Sequence, residues 1–510
     1  MSFQSAATPS DSRPVPDHRP VPDHRLASDV LGRFDALVMA VAGTAPAYSL
    51  AATTTALIAT AGSAGPAALL WCAIPMLGIA FAFSYLGRVD VNAGASYSWV
   101  GRTLHPALGF LSGWALVVSA TVFMVAGSLP AGTATLSLFA PDLADSTPLA
   151  TAVGAGWFLL MAGLVVMGAR ITAHAQWIMT GVELAILLFV GVVALVRGGA
   201  GRAFDWSWLG LGHFDGAQGF AAAALLAAFY FWGWDVTANL SEETRNSRRT
   251  SGLGGLLGVV MAFLIFEMIT IAVNTVLTAR QIDHGDTQIL TLLGDAVLPG
   301  WGGKAMILAV ILSTVATLET TLIQVTRSLF AMGRDNTLPA ALGRSHPTRR
   351  TPWVATATVV VVALALFIGS NALGSVGTIM SSALEAMGLQ ICVYYALAGF
   401  AVVVAYRKLL LRSFGTFFFV GVWPLAGAVF MSWVFWKSLP TLDTTTLAVG
   451  LGALGLGLLP MAYYWMSGTP FYRRGPRLDA RVAQEMDDKF GTGLETAHTG
   501  PRGGGMLTDL

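Results

Sequence analysis

The chain has 510 residues, 55% of them hydrophobic and only 11% charged, with a formal net charge of +1. Together with a mean hydropathy of +0.66, this excludes an ordinary soluble globular domain and describes a polytopic membrane protein. Stretches apolar enough to cross a core of roughly 30 Å as helix fall near residues 34–57, 64–86, 106–138, 150–169, 175–197, 217–240, 252–278, 304–333, 353–370, 377–405, 416–436 and 447–466. That is an all-α integral membrane protein of about twelve helices.

Residues 1–33 are expected to be a disordered, cytoplasmic N-terminus. Their segment 13–25, RPVPDHRPVPDHR, is a tandem six-residue repeat whose prolines and charges cannot build a core. No cleavable signal peptide is expected, because the start is polar and the first apolar segment is too long. That first span reads AVAGTAPAYSL, with Gly43 and Pro46 in its interior. Proline removes a backbone donor and clashes with the preceding turn, and glycine tolerates dihedrals that other residues avoid. Cys72 and Cys392 sit inside spans and read as small buried side chains.

The fifth span, QWIMTGVELAILL, carries Glu183. The sixth, FYFWGWDVTANLSEET, sets Phe229, Phe231 and Trp232 before Gly233, then Asp235, then Glu242 and Glu243. Glu267 lies in the seventh span and Glu385 in the tenth. Glu319 comes about fifteen residues after Lys304, hence roughly 22 Å along the eighth helix, among the hydroxyls of Ser313, Thr314, Thr317, Thr320 and Thr321. Gly450, Gly452 and Gly455 fit a dinucleotide-binding spacing but lie inside the last apolar span with no strand before them, so helix packing explains them better. Residues 467–510 are expected to be a cytoplasmic tail, in which Leu478, Val482, Met486 and Phe490 recur every fourth residue and suit a short amphipathic helix.

With both termini inside, the 29 Lys and Arg residues divide about 24 to 5 in favour of the cytoplasm, which is the orientation expected of short loops. The first and sixth spans occupy corresponding positions if helices one to five and six to ten are related halves. Breaks at matching positions point to a transporter's midplane substrate site, since unwound backbone at that depth must be satisfied by protein or by a water-filled cavity. The plainer alternative is a pair of ordinary kinks.

An ionisable residue at a span's centre costs about 2.5 to 3.5 kcal/mol. Five such acids with no lysine in the span interiors suggest protonation, a cationic ligand, or both. Asp235 either caps the second half-helix, where the macrodipole favours negative charge, or meets a substrate ammonium. Phe229 or Trp232 is expected as a lid whose ring face attracts cations, the alternative being helix packing. Glu242 and Glu243 are expected to pair with Arg102, Arg245, Arg248 or Arg249 as a cytoplasmic gate.

Three stretches carry a resemblance to a family. Residues 92–114, NAGASYSWVGRTLHPALGFLSGW, resemble the loop after helix two and the start of helix three in the amino acid, polyamine and organocation (APC) superfamily of secondary transporters. Residues 229–249 resemble that family's helix six, and RSLFAMGRDNTLP at 327–339, continued by His346, Pro347 and Pro352, resembles the end of helix eight. The resemblance covers roughly residues 30–465. It implies a LeuT-like fold of five plus five inverted helices with broken helices one and six, plus two extra C-terminal helices, in a permease domain at 34–466. In related permeases the fifth helix carries a lysine near the break of helix one; Glu183 falls at or near that position and is a candidate proton-binding group, as is Glu319. Many relatives also carry a Gly-x-Gly cluster in helix one whose amides receive a substrate carboxylate. Here only Gly43 remains, followed by Thr44, Ala45 and Pro46, which weakens the case for an α-amino acid.

The expected function is secondary active transport of an amino acid or related amine by alternating access across the cytoplasmic membrane. A ligand ammonium would meet carbonyls near residues 44–46 and 231–233, or Asp235, and a carboxylate the amides after Gly43. Coupling to H⁺ is expected through Glu183 or Glu319. A polyamine or amine carrier or exchanger is the nearer alternative, a non-transporting membrane sensor the more distant one. No cofactor, metal or nucleic-acid partner is expected, and no enzyme, because no nucleophile, base and metal constellation appears. The lipid bilayer is the remaining partner.

Overall fold

The computed structural model describes residues 25–283, 288–370, 376–475 and 478. The first span comes as two helices, α1 (Arg33–Thr44) and α2 (Pro46–Ala61). Pro46 bars its neighbour from the right-handed helical region, and Ala45 turns left-handed at φ 48° and ψ 64°, its N–H closing onto Ala42 O at 3.1 Å. Pro46 then opens α2 at a first-turn position, where a missing N–H forfeits no bond. Gly43, whose dihedral freedom suggested it as the yielding residue, stays helical inside α1.

α3 (Gly65–Val89), the short α4 (Ser96–Thr103), α5 (Pro106–Phe139), α6 (Thr147–Met167) and α7 (Ala169–Arg197) complete the first five spans. The sixth is again divided, into α8 (Gly216–Tyr230) and the single turn α9 (Val236–Asn239), with residues 231–235 between them and Gly233 at φ 93°. α10 (Ser247–Val276) leads into two short helices that the apolar pattern did not announce, α11 (Ala279–Asp283) and α12 (Ile289–Val297). α13 (Gly302–Arg334), α14 (Trp353–Ser370) and α15 (Val376–Tyr406) follow. The eleventh span joins α16 (Phe414–Thr416), a π-helical stretch at Phe417–Val422 and α17 (Trp423–Ser438). The twelfth is α18 (Thr444–Leu456) and α19 (Leu458–Met466), and α20 (Pro470–Arg473) ends the described helices.

Among the described residues nine helices are long and apolar enough to cross a membrane, the first of them, Arg33–Val89, being two spans joined through a tight turn. Two shorter apolar helices, Gly216–Tyr230 and Trp353–Gly369, complete the twelve segments. α5 and α13 pack on each other at the centre, with α15 against α5 and α7 against α13. Large apolar side chains such as Leu160, Ile178, Phe189, Val361 and Ile368 stay exposed on the outer helices, as surfaces facing lipid require.

The packed body reaches past the expected limits of 34 and 466. Leu26 is buried with Ala93 and Phe330, and Leu31 pairs with Thr244 in a single parallel bridge. Phe471 stacks on Tyr97 at 5.1 Å between ring centroids, and the Leu478 N–H donates to Arg102 O. The proline-rich repeat up to residue 24, and the amphipathic helix beyond Leu478, lie outside the described residues. Gly450, of the glycine run, lies in α18, where its carbonyl accepts from Gln390 Nε2.

Candidate functional site

The two helix breaks touch. A Cβ on Gly43 would run into the carbonyl of Gly233, and a Cβ on Gly233 into the carbonyl of Gly43. Glycine is therefore required at 43 for close approach, and at 233 for both approach and a positive φ.

The polar groups exposed by the first break are already engaged. Thr44 Oγ1 donates to Val41 O, and the Thr44 carbonyl accepts from Ser49 Oγ, both at 2.8 Å. At the start of α2, Ala47 N–H donates to Glu183 Oε1 at 2.8 Å and Tyr48 N–H to Ser313 Oγ at 3.1 Å. The amides expected to receive a ligand carboxylate are thus held by a side-chain carboxyl of α7 and a hydroxyl of α13.

Four aromatic rings close a circuit beside the breaks. Tyr48 meets Phe123 at 5.7 Å and Phe229 at 6.2 Å, and Trp232 meets Phe123 at 5.5 Å and Phe229 at 6.3 Å. These rings come from the first, third and sixth spans. Phe231, named with them from sequence, faces instead Phe266 of α10, at 6.0 Å.

Asp235 is buried and sits at the start of α9, and its side chain makes no bond to that turn. Its Oδ2 accepts from Gln324 Nε2 at 2.8 Å and Tyr394 OH at 3.1 Å, and its Oδ1 from Tyr395 OH at 2.9 Å. Trp234 stacks on Tyr395 at 5.7 Å.

α13 supplies partners to both breaks from one face. Ser313 reaches Tyr48, Thr317 Oγ1 donates to Ala42 O at 2.7 Å, Gln324 holds Asp235, and Ser328 Oγ accepts from Asn239 Nδ2 at 3.0 Å. At 3.6 residues per turn these four positions fall on one stripe. On the facing helix, Gln176, Thr180 and Glu183 are buried in a row along α7. Gln176 Nε2 donates to Glu319 Oε2 at 2.6 Å and to Ala316 O at 2.8 Å, and Thr180 Oγ1 approaches Gln176 Oε1 at 3.5 Å. The remaining carboxyl oxygens, Glu183 Oε2 and Glu319 Oε1, are buried without a hydrogen-bond partner among the described residues. Glu267 lies apart from this row, both its oxygens also without partners there, and Glu385 faces Asp443 and Thr446.

The acids after the sixth span pair most closely with two arginines of α13, and the Arg102 guanidinium adds its charge near Glu242. Glu243 forms a bidentate pair with Arg327 of α13, at 2.9 and 3.1 Å, and both side chains are fully buried. Glu242 pairs with Arg334 at 2.8 Å and accepts from Ala93 N–H. Arg102 pairs with Asp90 at 2.9 Å, Arg245 Nε donates to Asp29 O, and Arg248 donates to the Arg88 carbonyl. Burial pushes the Glu242 carboxyl up, the Arg334 guanidinium pulls it down, and the balance lies below the ordinary carboxylate value. Its share of stability is therefore present above the ordinary carboxylate range and lost as pH falls through the lowered value.

A family model described as "Amino acid permease" matches residues 31–458. The chain belongs to the amino acid permease family. This permease is 26% identical to "Cationic amino acid transporter 2, vacuolar" of Arabidopsis thaliana over 344 residues, which cover 62% of the chain and 52% of that protein. It is 25% identical to "Branched-chain amino acid permease BcaP" of Bacillus subtilis over 345 residues, 64% of the chain and 71% of the relative. With "Serine/threonine exchanger SteT" of the same organism it shares 24% over 421 residues, 80% and 90% of the two chains. The chain spans about half the length of the plant transporters it matches.

The family carries the LeuT-like multi-span membrane fold, and the permease has its broken first and sixth helices. Of the residues singled out from sequence, the structure brings Gly43, Thr44, Ala45, Pro46, Gly233 and Glu183 to one place, with Phe229 and Trp232 alongside. Sequence reasoning missed Gln324, Tyr394 and Tyr395 around Asp235, and Gln176 beside Glu319. A polar or paired aromatic residue inside an apolar span was the available signal; its partner, up to 160 positions away, was not.

Proposed function

We propose that the permease is a secondary transporter that moves amino acids or related amines across the cytoplasmic membrane by alternating access, with both termini in the cytoplasm and H⁺ as coupling ion. The observation that carries this is the contact of two helix breaks, Gly43 against Gly233, beside a circuit of four aromatic rings. Broken helices at the middle of a membrane protein are where substrate and ions are held in such folds. The relatives' names, which include a cationic amino acid transporter, a branched-chain amino acid permease and a serine/threonine exchanger, support the same class of cargo.

In this reading, substrate lies against the residues at 43–46 and 229–235, with Phe229 and Trp232 closing over it. Glu183 or Glu319, the latter hydrogen-bonded to Gln176, takes up and releases the coupling proton. Glu242, Glu243 and Arg102 belong to the cytoplasmic closure, where Glu242–Arg334, with both side chains partly exposed, is the pair that parts most cheaply. Polyamine or other amine carriage, including exchange, remains the second reading, favoured by the buried acids Glu183 and Asp235.

The test is uptake into proteoliposomes with an acidic exterior. Labelled amino acid or amine is expected to accumulate with the pH gradient and to be released by a protonophore. Glu319→Gln is expected to lower gradient-driven accumulation at least tenfold while leaving equilibrium exchange in place. Unchanged accumulation in that variant removes Glu319 from coupling, and no accumulation under any ion gradient leaves the sensor.

A further inference from the structure

The first turn of α2 has no amide to offer. Pro46 has none, Ala47 N–H is held by Glu183 Oε1 and Tyr48 N–H by Ser313 Oγ, and Ser49 N–H bonds within the helix to Ala45 O at 2.8 Å. The positive end of a half-helix is where a ligand's anion would be drawn. Here the protein's own carboxylate already fills it.

The charged groups nearby provide no substitute. Asp235, across the breaks, has its oxygens on three neutral donors, and the Arg327 guanidinium on the same stretch of α13 is committed to Glu243. Glu319 faces Gln176. A zwitterion entering between Gly43 and Gly233 would bring another carboxylate among acids, with no amide left in the first turn of α2 to receive it and, among the described side chains at the breaks, only the neutral indole N–H groups of Trp232 and Trp234 without partners. An ammonium, by contrast, finds Glu183 Oε2, which is buried and makes no close hydrogen bond among the described residues, the neutral Ser313 hydroxyl being the only other donor beside the carboxyl. An unsatisfied buried oxygen gains most from a charged donor.

We infer that Glu183 occupies the seat of a ligand carboxylate at the first helix break, so that the site selects amines lacking a free α-carboxylate over the amino acids that share their side chains. This rests on the transport reading and names the cargo within it. Glu183 is then a specificity-determining residue, with one oxygen anchored to α2 and the other presented to the cargo's ammonium.

The experiment compares matched pairs on the purified full-length permease by thermal shift, since a selective ligand raises apparent stability by mass action. The pairs are putrescine and ornithine, cadaverine and lysine, agmatine and arginine, and isobutylamine and valine. In at least one pair the amine is expected to stabilise at a tenfold or greater lower concentration than its amino acid. Glu183→Ala, which frees the Ala47 amide, is expected to narrow that ratio at least tenfold by improving the amino acid. Glu183→Gln keeps an acceptor on Ala47 and removes the charge; it is expected to weaken the amine about tenfold without improving the amino acid, and serves if the alanine variant does not fold. An amino acid that is the better ligand of its pair in the unaltered protein overturns the inference and leaves the transport reading standing. So does a ratio that neither variant changes. If no compound in any pair stabilises the protein or accumulates in proteoliposomes, the transport reading falls and the inference with it.

Discussion

Gly233→Ala is expected to abolish substrate accumulation, by about 100-fold or more, and to lower the melting temperature of the purified permease. Two costs coincide at this position. Gly233 sits at φ 93°, where an L side chain is strained by about 1 to 3 kcal/mol. Its added Cβ would also meet the Gly43 carbonyl, a backbone group that cannot rotate aside, and overpacking of this kind adds about 1 to 3 kcal/mol. The two broken helices would have to separate at the point where substrate is proposed to bind. Gly43→Ala carries the second cost without the first and is expected to show the smaller drop. Gly156→Ala in α6, where an added Cβ meets nothing within 4 Å, is the control and is expected to leave both readouts unchanged. Normal melting and uptake in Gly233→Ala would show that the breaks do not touch.

The second large effect concerns the pair Glu243–Arg327. Both side chains are fully buried and joined by two hydrogen bonds, so removing one partner leaves the other as an uncompensated charge. Arg327→Leu or Glu243→Leu is expected to cost about 3 to 5 kcal/mol, read as a loss of folded protein in thermal or denaturant unfolding. The double leucine variant buries no charge and is expected to recover most of that loss, because replacement of a whole buried pair by apolar groups is often close to neutral. The coupling between the two positions is obtained from the complete double-mutant cycle. Arg334→Ala, which breaks a partly exposed pair, is expected to cost about 1 kcal/mol or less. A double variant as unstable as the sum of its singles would mean that each side chain acts through contacts other than the pair.

These two sites differ in how far the chain's own pattern reveals them. The twelve spans and their limits follow closely from apolar run length, because the bilayer imposes one thickness on every helix. The division of the first span is legible from Pro46, a residue that cannot continue a helix without loss. Yet the yielding residue is Ala45, and Gly43 serves contact with a second break 190 positions later in the chain. The short helices α11 and α12 carry no span-length signal, and the segments at Leu26–Leu31 and Phe471 pack where composition suggested loose ends. Each is stabilised by contacts with distant parts of the bundle, which local pattern does not encode.

By itself, the sequence determined the membrane class, the apolar spans, the places where two of them break, and which acids fall within those spans. The tertiary structure alone decided what those acids meet. Asp235 receives Gln324, Tyr394 and Tyr395, Glu183 takes the amide of Ala47, and Glu243 holds Arg327. Such pairings depend on the rotation and depth of whole helices against one another. A one-residue change in helix position turns a side chain by about 100°, so partners are set by packing over the entire bundle.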